Sequence, residues 1–185
     1  RRVVEEKKVK ATGIQPHEPV GYFVYKRLRE DVEESANTED EAAFFDEQWG
    51  TLQRNWEKQT ELKANSICMV NLSPGMVMGE PMPYVTAMAL MLQLACRPGP
   101  FHRKWITWDI DPQIAEVKGD TLQEMVKSIM DLGSGLHASI AGGLDLALRC
   151  KPQPEVLFVL SNYLLAPLGL NEIKAVLDKH SGTKT

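Results

Sequence analysis

Residues 66–75 read Ser-Ile-Cys-Met-Val-Asn-Leu-Ser-Pro-Gly, and the fold follows from how this stretch is read. Ile67 to Val70 is apolar without the alternation of a half-solvated strand, which predicts a strand covered on both faces. Asn71, Pro74 and Gly75 are turn formers and stop the run in a tight loop. Behind the loop, about Met82 to Leu94 is apolar nearly all round, the pattern of a helix buried in a core. Pro81 to Cys96 is the longest uncharged apolar stretch. It is shorter than the roughly 18–20 residues that span a bilayer, and it holds Gln93 and two prolines.

Downstream, Arg97-Pro-Gly-Pro100 is a turn, Lys104-Trp-Ile-Thr-Trp108 a second strand and Gln113–Val117 a third. Asp109-Ile-Asp-Pro112 separates these two strands, and its paired carboxylates read as turn chemistry. Thr121-Leu-Gln-Glu124 matches a capping box, followed by Leu122, Met125, Val126, Ile129 and Met130 on one helical face. Gly133-Ser-Gly135 breaks that helix. Residues 138–149 form the next, in which Gly142 and Gly143 lower helix propensity and permit close packing on a sheet. Glu155-Val-Leu-Phe-Val-Leu160 is a second fully apolar strand, ending at Ser161-Asn162. A last helix carries Leu170, Ile173, Val176 and Leu177, with Asn171 the expected N-cap. The alternation of strands and helices predicts an α/β fold with a mostly parallel central sheet flanked by helices. In such sheets ligands gather at the loops after the strand ends, here Asn71–Gly75 and Ser161–Asn162.

Upstream, residues 1–20 read as an extended arm, and residues 21–62 as a helical extension in two pieces ahead of an α/β domain at 65–180. Between Glu30 and Glu47 stand nine carboxylates and no Lys or Arg, a solvated face or a docking surface for a basic partner. Phe44, Phe45, Trp49, Leu52 and Trp56 recur at helical spacing, as a packing seam does.

Composition sets the outer bounds. With 185 residues, 43% hydrophobic, 25% charged and a net charge of -4, the chain suits a globular domain and not a generic polyanion binder. Cys68, Cys96 and Cys150 are widely spaced, odd in number and in apolar company, which fits free thiols in a reducing, intracellular setting. No Cys/His cluster suggests zinc and no glycine-rich phosphate loop appears, so no cofactor is expected. Residues 1–10 are charged with no apolar core behind them, and the first residue is not methionine, so the chain is expected to be a piece of a longer protein.

Ile67–Cys96, with Asn71-Leu-Ser-Pro-Gly75, resembles the first strand, loop and helix of a von Willebrand factor A-type domain. Leu157-Phe-Val-Leu-Ser-Asn162 resembles the fourth strand of that family. Gln48-Trp49, Ile106–Gly119 with Thr121-Leu122, and Leu144-Asp-Leu-Ala-Leu148 point within it to the DUF2828 group, related in arrangement to the Ro (TROVE) autoantigen. The resemblance implies a three-layer, Rossmann-like sheet and a metal-ion-dependent adhesion site. There Mg2+ is held by an Asp-x-Ser-x-Ser motif, a threonine and a further aspartate, a hard-oxygen set suited to that ion. The matching positions are Asn71, Ser73, Gly75, Ala138 (or His137 or Ser139, if the register slips) and Asn162. Both aspartates are replaced by asparagine and only Ser73 keeps its residue type, so the resemblance implies a degenerate site without metal. The family's sheet has six strands and only four are legible here, so the last strands are lacking.

Three functions follow as expectations. The first is a non-catalytic interaction or assembly module, a subunit or surface component of a larger cellular or viral particle, with a protein partner, or a second copy in a homo-oligomer, and no membrane. The second is a ribonucleoprotein component, for which Arg1, Arg2, Lys7, Lys8 and Lys10 would supply RNA contacts against an otherwise acidic helical segment. The third is a hydrolase using Ser73 with His137 and Asp145, although Ser73-Pro-Gly75 lacks the nucleophile-elbow motif.

Overall fold

A computed structural model describes residues 13–30, 39–57, 65–73, 81–132, 139–161 and 167–181. Two helices lead, α1 (His17–Glu30) and α2 (Glu39–Glu57). The sheet region then runs β1 (Ser66–Val70), α3 (Met82–Ala95), β2 (Lys104–Thr107), β3 (Ile114–Glu116), α4 (Leu122–Leu132), α5 (Ile140–Arg149), β4 (Val156–Leu160) and α6 (Pro167–Ser181). The chain is therefore α/β, in the expected order of elements.

The four strands lie in the order β3-β2-β1-β4. β1 pairs in parallel with β2 (Met69 opposite Ile106) and with β4 (Ser66 opposite Val156 through Val70 opposite Leu160). Only β3 runs antiparallel, with Trp105 opposite Ala115. All five residues of β1 are buried, which is why its sequence shows no alternation. The alternation appears instead in where the side chains go. Cys68 and Val70 enter one core with Val85, Met88, Trp105, Met125 and Ile129, while Ile67 and Met69 enter a second with Phe101, Ile106, Trp108 and Ala147.

The first core is the thicker, because α1 and α2 add to it. Val20, Phe23 and Val24 of α1, and Trp49, Leu52 and Trp56 of α2, are buried in the same cluster as β1 and α3. Gly21 brings α1 close to α3, since a Cβ there would stand 3.3 Å from Val85 Cγ1. The aromatic seam is internal: Tyr22 stacks on Phe45 at 4.1 Å, and Trp49 meets Trp56 edge-on at 5.0 Å. Two of the acidic residues also have structural partners. Glu41 accepts from the Tyr22 hydroxyl at 3.1 Å, and Asp46 Oδ1 accepts the Leu122 amide at 2.7 Å, closing the exposed N-terminus of α4. Burial pushes the Asp46 carboxyl above its ordinary value, and the amide bonds partly oppose that shift.

The capping box forms as the sequence implies. The Thr121 hydroxyl accepts the Glu124 amide at 3.2 Å, and Glu124 reaches back to the amides of Asp120 at 2.8 Å and Thr121 at 3.1 Å. On the opposite face α5 lies directly on β1: a Cβ at Gly143 would stand 2.3 Å from Met69 Sδ. The last helix departs from expectation, because it begins at Pro167 and leaves Asn171 inside it, not at its cap. Proline is well suited to a first helical turn, where its missing N–H has no partner to lose.

Candidate functional site

Parallel strands bring their C-terminal ends to one edge, and the edge between β1 and β4 is where the strand order reverses. At β1 the chain leaves the sheet through Asn71, Leu72 and Ser73, all buried. The Asn71 amide donates to the Leu160 carbonyl at 2.8 Å, carrying the β1–β4 ladder one residue past the strand. Its side chain turns back on its own loop, where Oδ1 accepts the Ser73 amide at 3.1 Å. This is an Asx turn, the local bonding that lets Asn close a loop without a partner element. Asn71 is 0% exposed and Ser73 3%, so the turn lies inside the protein.

The next loop along the edge, between β2 and β3, is built alike. The Asp109 carboxylate accepts the Ile110 amide at 2.6 Å, in keeping with turn chemistry. Its carbonyl accepts the Ser139 amide at 3.0 Å, joining this loop to the start of α5. Ser139 caps that helix, its hydroxyl accepting the Gly142 amide at 2.8 Å. The positive end of the α5 dipole therefore opens on the same edge. Ile110 stands out at the tip of the loop, 71% exposed, beside the exposed Asp111. A large aliphatic side chain so placed was not among the sequence candidates. The Asp-Ile-Asp-Pro pattern was its only signal.

Of the six sequence candidates, Asn71 and Ser73 are thus brought together. Gly75, His137, Ala138 and Asn162 lie outside the described residues. Asp145, considered as the third member of a Ser73 triad, faces α6. Its Oδ1 accepts from His180 Nε2 at 2.9 Å and Lys179 Nζ at 3.1 Å, and its Oδ2 pairs with Arg149 at 2.8 Å. These bonds, that of His180 foremost, hold the Asp145 carboxyl below the ordinary range.

The donors at the end of β1 do not fit a divalent cation. The Asn71 amide oxygen is neutral and already bonded, and Ser73 offers only a hydroxyl, where Mg2+ favours carboxylates. Among the described residues no group of three or more His, Cys, Asp or Glu side chains could hold a metal ion. Among them, too, no helix is long and apolar enough to cross a membrane. The three thiols are free; Cys68 is buried and its thiol is pushed up to about 12 by desolvation.

Fold and edge together define an open, mostly parallel α/β sheet with a polar, internally bonded loop at its reversal point. The chain is similar, at 27% identity over 142 residues, to an uncharacterized protein of Acanthamoeba polyphaga mimivirus. The match takes in 77% of this chain but only 22% of that protein, so the chain spans about a fifth of its relative's length. No family model matches, and neither does any solved structure.

Proposed function

We propose that the chain is a non-catalytic interaction module of the von Willebrand A type. In this reading its metal site is lost, and it binds a protein partner or a larger assembly through the C-terminal edge of its sheet. The observation that carries this reading is Asn71. At the position where an adhesion site needs a carboxylate stands a buried amide, engaged with the Ser73 backbone and not facing solvent. The loop is rigid and neutral without a cation, so contact made through it is constitutive and not gated by metal. Ile110 supports the same surface, being a protruding aliphatic group on the adjoining loop, of the kind that anchors contacts between proteins.

The test places a photo-crosslinking amino acid at Ile110 and, in a separate protein, at the exposed His102. His102 precedes β2 and so lies at the opposite edge of the sheet. In the parent assembly, crosslinks to a protein partner are expected from position 110 and not from 102, with the same yield after chelation of divalent ions. Equal yields from both positions, or a yield abolished by chelator, would overturn the reading.

A further inference from the structure

The two edges of the sheet are unlike. β3, at one edge, has three residues, one of them Glu116, and lies between Pro112 and Lys118. Short length, charge and a nearby proline are the devices that keep a strand edge from pairing. β4, at the other edge, carries none of them. It is Val156-Leu-Phe-Val-Leu160, without charge or proline, and it holds register with β1 over all five residues. Among the described residues no strand pairs with its outer side.

Backbone geometry says which groups that side presents. The Leu160 carbonyl faces β1, since it accepts the Asn71 amide. The N–H and C=O of one strand residue point the same way and reverse at the next. Leu157 and Val159 therefore turn both groups outward. Their side chains share a face as well: Val159 lies opposite Met69, which packs under Gly143 of α5. α6 packs along α5 on that face, and there Val159 is 39% exposed, Leu170 53% and Leu177 47%. Leu170 and Leu177 are seven residues apart, two helical turns, and so lie on one stripe of α6.

We infer that the outer edge of β4 pairs antiparallel with β4 of a second copy of this chain, giving a closed dimer with one eight-stranded sheet. The pairing is self-complementary. A twofold axis at Phe158 sets Leu157 of each copy opposite Val159 of the other, and such a pair exchanges two hydrogen bonds. The two pairs satisfy all four outward groups of each strand. No charge between Val156 and Leu160 opposes the approach. Val159, Leu170 and Leu177 supply an apolar flank. This deepens the reading of the chain as an assembly module, and it uses a surface distinct from the Ile110 edge.

The test is solution mass by light scattering across a wide concentration range, joined to hydrogen exchange on the 185-residue chain. Twice the chain mass is expected at high concentration, with the Leu157 and Val159 amides protected there and exchanging at least tenfold faster on dilution to monomer. Val159→Lys should halve the mass at unchanged circular dichroism, and Val159→Thr should keep it. A single-chain mass throughout would overturn the proposal, as would a dimer with fast amides at 157 and 159, open-ended assemblies, or a folded Val159→Lys dimer. Crosslinking from position 110 is unaffected by Val159→Lys, so failure here and failure of the edge reading are told apart.

Discussion

Replacing Asn71 by alanine removes the acceptor of the Ser73 amide and little else that reaches solvent. The bond is 3.1 Å long, and its residues are 0% and 3% exposed, so water does not take the place of the lost oxygen. A buried donor left without an acceptor costs about 1–3 kcal/mol. Taking about 2 kcal/mol, a chain of this size loses about 4–8 °C in Tm. Urea titration and a thermal melt by circular dichroism measure both quantities. Asn71→Asp gives the complementary result, because it restores an acceptor in the same place but makes it ionisable. Burial raises the folded pKa of that carboxyl above the usual value of about 3.9. A raised folded pKa means that stability is full below the unfolded value and is lost as pH rises through the folded one. Asn71→Asp is therefore expected to match the parent chain near pH 3 and to fall below it at pH 7. An Asn71→Ala protein within about 0.5 kcal/mol of the parent would refute the argument that this amide holds the loop. So would an Asn71→Asp protein whose melting temperature climbs with Mg2+.

Three further outcomes are expected. Gly119 has φ +101°, and a Cβ there would stand 2.3 Å from Glu124 Cβ, so Gly119→Ala should cost at least about 2 kcal/mol, read as a lower urea midpoint. The lowered pKa of Asp145 stabilises the fold above the usual carboxylate value and is lost as pH falls through the folded value. Asp145→Ala should then flatten the acid limb of the stability curve, cost about 1 kcal/mol at neutral pH and speed amide exchange in α6. Of the three thiols, Cys96 and Cys150 are partly exposed and should react with a disulfide reagent at pH 8, while Cys68, pushed up to about 12, should react only on unfolding.

The parts of the fold legible in the sequence are those whose cause is local. β1 and β4 stand out as uncharged runs, and the start of α4 is marked by Thr121 and Glu124, which do bond as their spacing implies. Gly143 was also readable as a close approach, though not its counterpart, Met69. The start of α6 was misread because Asn is a good cap in isolation, and nothing nearby shows that Pro167 has already opened the helix. At the site, Asn71 and Ser73 could be paired on paper because they are two residues apart. The Asp109–Ser139 link could not, since it joins segments thirty residues apart in the chain.

Composition and periodicity were enough to establish an α/β chain, its order of strands and helices, and the loop in which asparagine replaces the expected carboxylate. Each of these depends on residues within a turn or two of one another, where side-chain chemistry and backbone preference act directly. Only the tertiary structure decided that β1 lies between β2 and β4, that α1 and α2 share the core beneath β1, and that Asp145 clasps α6. It alone shows β4 with an open edge beside half-exposed leucines. These arrangements join segments far apart in sequence, and they follow from which buried surfaces fit together, which no local pattern records.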